Sequence, residues 1–419
     1  MTSSGRREAV EVLYVSSVPS PEQFVAMQGE LLPDAQQVTY GMPESGYKFH
    51  SLIQRGLIEN GARVTSLVGR SATPRFYRGG WWPRVVDRPR DSLVVDHRGF
   101  PNARGAKQLH LAVSLALGAW RWRLRTRGRD RFVVVDAAYV SALPGVLAVT
   151  RGVTRVAIFA DVYTFMADVA DASDRSGARY RAMRRVVART YRAIDRFVLL
   201  TRQMDPVVNP ERRPSIVMEG LVDADMAAAD NVLAAKDEHL TVLYSGALRS
   251  EYGLANLVDG FRAWDAPDAR LVVYGGGDYA SAVAAAAAVD PRVEFRGTVP
   301  NAEVVAAQQR AWLLVNPRPA DQEFTAYSFP SKNMEYLVSG TAVLTTRLPG
   351  MPADYDKHVL TIDGSSAADI TAALERAAAL GRTELHARGE RARQFVLDRK
   401  NHSEQGRRIM ELALGETRA

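Results

Sequence analysis

The sequence contains no cysteine. That absence excludes disulfide bonds, a thiolate nucleophile and a structural zinc site of the finger type, so packing alone must hold the fold. Long apolar runs are also missing, because the longest, residues 132–150, is interrupted by Asp136 and Pro144. Such a run favours a strand, a turn and a helix over a membrane span. The apolar run within residues 1–17 is too short for a secretion signal, so we expect neither a signal peptide nor a transmembrane helix.

What is present is the composition of a folded protein with more than one domain. The 419 residues are 47% hydrophobic and 24% charged, with 31 glycines and 20 prolines, which excludes disorder and a collagen-like chain. The length indicates two or three domains, of which two is the default. No repeat with a period of about 20–50 residues is visible, which excludes solenoids and propellers.

Charge divides the chain into unequal halves. Residues 1–220 contain 33 Lys and Arg against 20 Asp and Glu, whereas residues 221–419 contain 21 against 27. The positive excess predicts that the first half faces an anionic partner, which is a membrane surface, a phosphorylated acceptor or nucleic acid. The counts alone leave these three alternatives open.

Two series of β-rich segments alternate with helical segments. In the first series the predicted strands are Val10–Ser16, 63–68, 132–135, 155–159 and 196–200, and in the second they are 240–244, 270–274, 292–295, 312–316, 342–345 and 358–362. This alternation predicts two doubly wound α/β domains with parallel sheets and a cleft between them. We expect the domains at 1–210 and 215–385, followed by helices at 386–419 that cross back to the first domain.

The most informative segment is 315–344, VNPRPADQEFTAYSFPSKNMEYLVSGTAVL. Pro330 marks the start of a helix that opens with Ser331 and Lys332. Free backbone N–H groups at that helix start and the Lys332 ammonium together predict a phosphate site. Glu335, one turn later, is placed to accept hydrogen bonds from the two hydroxyls of a ribose. The alternative is an ordinary capped helix with a solvated lysine.

Turns rich in small residues follow several strands of the second series. Gly246 lies in the first turn, shortly before Arg249, whose guanidinium we expect to neutralise a diphosphate. Gly276 lies within the glycine run 275–277, and Gly297 precedes Thr298 in a third turn. Such turns let a nucleotide approach the backbone at the carboxyl ends of the strands, although each turn alone is equally typical of a plain tight turn.

Together these segments resemble the retaining glycosyltransferases of the GT-B architecture, family 4 of the sugar-enzyme classification, over almost the whole chain. The resemblance implies two Rossmann-like domains facing each other across a cleft, a nucleotide-diphosphate sugar donor in the second domain and a sugar or lipid-linked acceptor in the first. It also implies transfer with retention, no metal ion and no cofactor, with UDP as the commoner nucleotide. The residues that carry it are Glu219-Gly220, Val222-Asp223, Tyr244-Ser245-Gly246, Glu251-Tyr252-Gly253, 275–277, Gly297, Phe329-Pro330-Ser331-Lys332, Glu335-Tyr336-Leu337 and Gly340.

The resemblance assigns residues with two departures from the family pattern. Glu335 matches the ribose-binding glutamate, but its partner eight positions earlier is replaced by Tyr327, so Glu323 or the backbone near Ser328 is expected to contact the donor sugar. The expected donor site comprises Gly46, Gly246, Arg249, Gly276, Gly297, Thr298, Glu323, Tyr327, Ser328, Phe329, Pro330, Ser331, Lys332 and Glu335.

The second departure concerns the diphosphate. The Arg and Lys that many members carry after the first turn are replaced by Ala247 and Tyr252. The resemblance therefore leaves Lys332, with Arg249 as the weaker candidate, to supply the positive charge. Both departures also support an alternative, a non-catalytic GT-B-like scaffold subunit of a polysaccharide synthase complex.

Three residues are expected to act in catalysis. Lys332 stabilises the leaving diphosphate. His50, in the first turn of the first long helix, contacts a phosphate or an acceptor hydroxyl, or is simply structural. Asp161, at the end of the strand RVAIFAD, faces the reacting sugar. The resemblance implies that the departing phosphate oxygen itself deprotonates the acceptor.

Tryptophan and arginine cluster in the first half. Residues 109–131 are apolar and then basic, with Trp120 and Trp122 interleaved, 179–196 are rich in arginine, and Trp81-Trp82 precedes further arginines. These patches predict contact with an anionic leaflet, as for a cytoplasmic protein peripheral to the inner face of the plasma membrane that acts in polysaccharide or glycolipid synthesis. A core helix with a solvated basic end is the alternative. No nucleic-acid-binding signature is present, so no nucleic-acid partner is expected.

Overall fold

The fold is described from a computed structural model, which describes residues 9–32, 44–70, 72, 77–103, 105–139, 142–160, 178–225 and 231–415. The chain divides into two compact units. Unit 1 comprises Met1–Met218 together with His402–Ala419, and unit 2 comprises Glu219–Asn401.

Both units are built on β-sheets. The strands of unit 1 are β1 (Val10–Ser16), β2 (Ala62–Val68), β3 (Trp81–Trp82), β4 (Val85–Arg90), β5 (Leu93–His97), β6 (Phe100–Pro101), β7 (Arg131–Asp136), β8 (Thr154–Phe159), β9 (Arg196–Leu199) and β10 (Ser215–Val217). The strands of unit 2 are β11 (Leu240–Ser245), β12 (Ala269–Tyr274), β13 (Val293–Gly297), β14 (Leu313–Asn316), β15 (Ala342–Thr346) and β16 (Leu360–Ile362). Every strand that the sequence predicts is present, with its ends shifted by two residues or fewer.

Helices connect the strands in both units. In unit 1 they are α1 (Pro21–Gly29), α2 (Glu44–Glu59), α3 (Ala106–Arg125), α4 (Leu143–Val149), α5 (Ala178–Arg192) and α6 (Asp205–Val208). In unit 2 they are α7 (Leu254–Ala263), α8 (Ala280–Val289), α9 (Asn301–Arg310), α10 (Ser331–Val338), α11 (Ala367–Ala379) and α12 (Gly381–Arg399), and α13 (His402–Leu414) returns to unit 1. No helix of the described residues has the length and apolarity to cross a membrane.

The sheet of unit 1 has the order β10-β9-β8-β7-β1-β2-β5-β4 in the described chain. Its strands are parallel except for β4, which pairs with β5 in the antiparallel sense. β1 and β7 lie at the centre, and the valines and leucine of Val12–Val15 and Val133–Val135 are fully buried. This all-round burial is typical of parallel strands covered by helices on both faces.

The sheet of unit 2 is parallel throughout, in the order β13-β12-β11-β14-β15-β16 among the described residues. Phe261 and Trp264 of the α7 region, Val283 of α8 and Leu374 of α11 pack against it in one buried core. The expected fold class, two Rossmann-like α/β domains, is thus present in the two units.

The domain boundaries differ from those expected. The break falls between Met218 and Glu219, and α12 runs without interruption through the expected boundary at 385/386. Lys400 explains why α12 stays with unit 2, because its ammonium lies 2.5 Å from a carboxylate oxygen of Glu219. α13 alone joins unit 1, where a Cβ on Gly56 would lie 1.8 Å from the carbonyl oxygen of His402, so that α2 and α13 meet backbone to backbone.

Trp81-Trp82 and the arginines that follow were expected to form a basic, aromatic surface patch, and they lie in the short strands β3 and β4. Trp82 is 7% exposed, stacks on Phe100 and lies under the guanidinium of Arg70. Arg84, just before β4, donates two hydrogen bonds to Asp96 of β5. Trp82 is therefore a core residue, whereas Trp81 is 58% exposed. The sequence missed β3 to β6 because each has only two to six residues.

Candidate active site

Lys332 lies at the edge of the unit 2 sheet where β11, β12 and β14 end, called here the carboxyl edge. α10 begins at Ser331 with Pro330 as its N-cap and no side-chain cap hydrogen bond. The Lys332 ammonium donates to the carbonyl oxygen of Ser245, 2.6 Å away at the end of β11. The sequence prediction that this lysine opens a helix at the strand ends is confirmed.

The backbone of Gly246 lies against the side chain of Lys332. Its φ is +142°, and a Cβ built on it would lie 1.3 Å from the Lys332 ammonium nitrogen. Gly246 therefore leaves room for the lysine itself, a more specific reason for a glycine than the ligand approach that the sequence suggested.

Tyr336 fixes the same turn from the next turn of α10. Its hydroxyl accepts from the Ser245 N–H (2.9 Å) and donates to the Ser245 carbonyl (3.1 Å). Gln308 donates to the Ser245 hydroxyl at 3.0 Å. The carbonyl that binds Lys332 is thus held by buried hydrogen bonds, which pre-organise the ammonium.

The Lys332 side chain is half-buried between charges of both signs. Burial lowers the pKa of Lys332, the carboxylate of Glu335 raises it, and the guanidinium of Arg318 also lowers it. In the described part of the chain Lys332 forms no ion pair within 4 Å. An ammonium without a direct ion-pair partner can take a bound phosphate as its counter-ion.

Arg318 is a site residue that the sequence reasoning missed. It follows the end of β14 by two residues, and its guanidinium carbon lies 4.5 Å from the ring centroid of Tyr252. Burial lowers its pKa as well. Tyr252 occupies the position where the family pattern has a lysine. Its ring packs against the guanidinium of Arg318. The sequence signal that could have identified Arg318 was its position just after β14, at the same carboxyl edge as Lys332.

Arg249 is arranged differently from Arg318. Its side chain is 57% exposed and donates to Glu251 at 2.6 Å. The hydrogen bond and charge of Glu251 raise the pKa of Arg249. Arg249 is therefore an exposed, ion-paired side chain, whereas Arg318 is half-buried against the ring of Tyr252.

The glycine run 275–277 lets two turns pack against each other. A Cβ on Gly275 would lie 1.8 Å from the Gly246 carbonyl oxygen, and one on Gly277 would lie 2.3 Å from that of Leu248. A Cβ on Gly276 would meet only the Thr298 hydroxyl, at 3.1 Å. The Gly275 N–H donates to Gly297, at 2.7 Å. The expected residues of the second and third turns are therefore neighbours.

The segment before α10 holds the other expected donor residues. Phe329 is buried and its ring lies 5.3 Å from that of Tyr355. The Ser328 hydroxyl is buried with no hydrogen-bond partner among the described residues. Tyr327 and Glu335 are half-buried, and the backbone of Glu323 begins a short 3₁₀ helix, Glu323–Ala326. An unpartnered hydroxyl at Ser328 agrees with the expected sugar contact there.

Unit 1 brings His50 to two residues that the sequence did not single out. The Tyr14 hydroxyl lies 2.6 Å from Nδ1 of His50, and Asp136, at the end of β7, lies 3.6 Å from Nε2. Burial lowers the pKa of His50 despite the opposing charge of Asp136. His50 is 5% exposed and therefore a buried side chain, as the structural alternative expects, and its contact with a phosphate or an acceptor hydroxyl stays a prediction.

The two remaining predictions of unit 1 differ in outcome. Gly46 lies inside α2, which begins at Glu44, before the predicted start. Asp161 lies outside the described residues. No group of three or more His, Asp or Glu that could hold a metal ion occurs in the described part of the chain.

The sequence of unit 2 carries a family signature that fits this geometry. Residues 239–379, which include β11 to β16 and the Lys332 site, match the family model "Glycosyl transferases group 1". In this segment, about a third of the chain, the protein is similar to a group 1 glycosyltransferase domain. No curated protein sequence matches the chain.

Solved structures extend the likeness beyond this glycosyltransferase domain. Sucrose-phosphate synthase from Thermosynechococcus elongatus is 12% identical with a TM-score of 0.60, covering 97% of this chain and 100% of that one. Anabaena HepE, solved with UDP, is 11% identical (TM-score 0.62; 97% and 100%). Starch synthase IV from Arabidopsis thaliana, solved with ADP and acarbose, is 9% identical (0.61; 97% and 99%). At such identities the likeness shows the fold, and the expected GT-B class is confirmed.

Proposed function

We propose that the protein transfers a sugar from a nucleotide-diphosphate sugar to an acceptor hydroxyl. The observation that carries the proposal is the half-buried Lys332 ammonium, fixed on the Ser245 carbonyl near Arg318 at the carboxyl edge of the segment that matches the group 1 glycosyltransferase model. Ligands of open α/β sheets bind at this edge. HepE was solved with UDP and starch synthase IV with ADP, and both ligands are nucleoside diphosphates.

The diphosphate would lie against the start of α10. Lys332, Arg318 and the free N–H groups of the helix start supply positive charge where the leaving group develops negative charge. Glu335, one turn into α10, is proposed to accept hydrogen bonds from the ribose hydroxyls. The Ser328 hydroxyl is proposed to contact the donor sugar, in place of the glutamate that Tyr327 replaces.

In the proposed reaction the bond from the anomeric carbon to the diphosphate oxygen breaks, and a bond to the acceptor oxygen forms on the same face. The acceptor proton passes to the departing phosphate oxygen. Configuration is therefore retained, and the protein's contribution is positioning and charge stabilisation. No metal ion is needed in this scheme, so we expect EDTA to leave the initial rate unchanged.

Unit 1 is proposed to hold the acceptor. His50, with Tyr14 and Asp136, is proposed as a positioning residue that orders the carboxyl ends of β1 and β7. Its lowered pKa keeps the imidazole neutral near pH 7. A neutral imidazole neither attracts the donor diphosphate nor competes with Lys332 for it.

One face of α3 supports a membrane-associated acceptor. Spaced three or four residues apart along α3 are five exposed apolar side chains, called here the α3 stripe: Leu109, Val113, Leu117, Trp120 and Leu124. The opposite face, which includes Leu115 and Trp122, is buried. The last turn is basic, with Arg123 and Arg125. We propose that the stripe enters an anionic leaflet while the arginines contact headgroups, as in synthesis of a glycolipid or polysaccharide.

Binding to vesicles tests this membrane proposal. Leu117→Ser with Trp120→Ser should reduce co-sedimentation with vesicles that contain phosphatidylglycerol. Val289→Ser, which changes an exposed apolar residue on α8 of unit 2, should not. Equal binding by all three proteins would remove the stripe from the account.

Thermal stabilisation tests the donor proposal first. A nucleotide that binds only the folded state raises the melting temperature, so UDP, GDP, ADP and TDP and their common sugar conjugates are compared. We expect one nucleotide, UDP in first place, to stabilise the protein. No stabilisation by any of them, in a folded sample, would favour the non-catalytic scaffold.

A further inference from the structure

A second anion-binding feature lies in unit 1, away from the carboxyl edge. A cavity of about 340 Å³ opens between α3 and the face of β1, β2 and β5. It exists because the antiparallel β4–β5 pair extends the sheet beyond the helix. Gly118 adds room under α3, since a Cβ there would lie 2.9 Å from a methyl carbon of Leu67. We call this space the arginine cavity.

The charges that line the arginine cavity do not balance. Its walls hold five arginines (Arg84, Arg98, Arg121, Arg125 and Arg129) and two carboxylates (Glu11 and Asp96). Arg84 and Arg98 share Asp96 at 2.8 Å, and Arg129 donates to Glu11 at 2.7 Å. Arg121 and Arg125, one turn apart on α3, form no ion pair within the described chain. The cavity therefore carries a positive excess that a ligand anion would match.

A buried donor points to the same conclusion. Trp122 lines the cavity, is 5% exposed, and its indole N–H has no hydrogen-bond partner among the described residues. A buried donor without an acceptor costs free energy that a ligand oxygen would recover. The cavity thus offers cationic forks and a neutral donor, and no unpartnered acceptor is among its described atoms.

The cavity runs along the face of the unit 1 sheet, and Arg121 and Arg125 lie toward one end of it. Glu11 lies at the start of β1, and Arg129 lies just before β7 begins. Since β1 and β7 are parallel, this end of the cavity opens at the amino ends of the strands, whereas Asp96 lines the cavity near the carboxyl end of β5. Asp136, the neighbour of His50, lies at the carboxyl end of β7. A ligand bound at the amino ends would therefore lie at the opposite end of β7 from Asp136.

We propose that the arginine cavity binds a phosphate-bearing ligand. Guanidinium groups bind phosphate oxygens in a bidentate manner, and Arg121 and Arg125 are the two whose charge is not already matched. The volume admits a phosphate or diphosphate with a small organic part. Such a group could come from a soluble phosphate ester or from a lipid headgroup, because the α3 stripe lies on the same helix.

Titration of inorganic pyrophosphate by calorimetry tests the proposal. Every protein in the series carries Lys332→Ala, so that the proposed donor site does not contribute. The background protein should bind one pyrophosphate, and Arg121→Ala with Arg125→Ala should weaken binding by about tenfold or more. Arg127→Ala removes a charge from the same helix end outside the cavity and should change affinity by less than about twofold.

The titration distinguishes a failure of the cavity proposal from a failure of the donor-site proposal. No saturable binding to the background protein, or an equal loss in Arg127→Ala, would overturn the cavity site and leave the donor site untouched. Trp122→Phe keeps the aromatic packing but removes the N–H, so weaker pyrophosphate binding with an unchanged melting temperature would support the site. Unchanged affinity in Trp122→Phe would count against the indole contact on which the site partly rests.

Vesicles distinguish the two sources of phosphate. Proteins with and without the Arg121 and Arg125 substitutions are sedimented with phosphatidylcholine vesicles that contain phosphatidic acid. Loss of binding in the double variant, together with competition by pyrophosphate, would support a lipid headgroup in the cavity. Vesicle binding that changes neither in the double variant nor on addition of pyrophosphate, together with tight binding of free pyrophosphate, would support a soluble phosphate ester.

Discussion

The carboxyl edges of the two sheets carry different chemical groups. At the carboxyl edge of unit 2, Lys332 and Arg318 are half-buried cations, and burial lowers the pKa of each. At the corresponding edge of unit 1, the Tyr14 hydroxyl is hydrogen-bonded to the buried His50 ring and Asp136 lies 3.6 Å from it, and burial lowers the pKa of His50. One edge suits a diphosphate, whereas the other suits an uncharged hydroxyl group.

This difference runs against the net charge of the two halves. The first half of the chain is strongly basic and the second is acidic, yet the half-buried cations Lys332 and Arg318 lie in the acidic half. The arginines of unit 1 cluster around α3 and the arginine cavity and along the sequence of α5. Net charge therefore indicates where a protein meets a large anionic surface, and individual buried groups indicate where it binds a small anion.

The largest expected effect comes from filling the space that Lys332 occupies. Gly246→Ala places a Cβ where the ammonium lies, at a φ of +142°, so it should cost about 2–4 kcal/mol of stability and abolish nucleotide stabilisation. Gly381→Ala is the control, because that glycine also has a positive φ but no atom within 4 Å of the added Cβ. Chemical denaturation with and without nucleotide measures both. Similar losses in the two variants would mean that backbone strain alone is responsible.

A smaller effect separates the two candidate partners of Lys332. Arg318→Met should weaken nucleoside diphosphate binding by about tenfold, or about 1.4 kcal/mol, because a desolvated cation is lost. Arg249→Met should change the affinity by less than about twofold, because its exposed guanidinium is already paired with Glu251. Calorimetric titration of each variant decides between them, and the reverse order would restore Arg249 to the site.

The smallest expected effect concerns acid stability in unit 1. Burial depresses the pKa of His50 below its ordinary 6.5, so the unfolded chain takes up the proton first as pH falls. Stability should therefore decline as pH drops below about 6.5, through the window down to the folded pKa. His50→Asn should flatten this decline, with part of it remaining because burial also lowers the pKa of His97.

The measurement is the urea midpoint between pH 7.5 and pH 5. His110→Gln is the control, since that side chain is exposed and forms no ion pair within the described chain, and it should leave the pH dependence unchanged. A His50→Asn protein that keeps the full pH dependence would show that the imidazole is not the group being protonated.

The sequence predicted the parts of this molecule that depend on local pattern. Alternating strands and helices predicted both sheets, and Pro330-Ser331-Lys332 predicted the helix start at the carboxyl edge. Arg318 was missed because its role depends on the path of the segment after β14 and on the ring of Tyr252. The neighbours of His50 were missed because parallel strands bring together residues that are far apart in the chain.

The tryptophan residues show the same limit of prediction from sequence. A basic and aromatic composition suggested an exposed patch, yet Trp82 and Trp122 are buried while Trp81 and Trp120 are exposed. Which side of a strand or helix faces the core is fixed by packing with distant elements, and composition does not contain that information. The exposed side of α3 nevertheless keeps the apolar character that the composition indicated.

Calorimetric titration of nucleoside diphosphates against Lys332→Ala tests the central claim most directly. Lys357→Ala removes an exposed lysine of the same unit and serves as the matched control. We predict that one of UDP, GDP, ADP and TDP binds the unaltered protein and Lys357→Ala equally, and Lys332→Ala at least about tenfold more weakly. Equal binding by all three proteins, or no binding of any of the four nucleotides by the unaltered protein, would contradict the account.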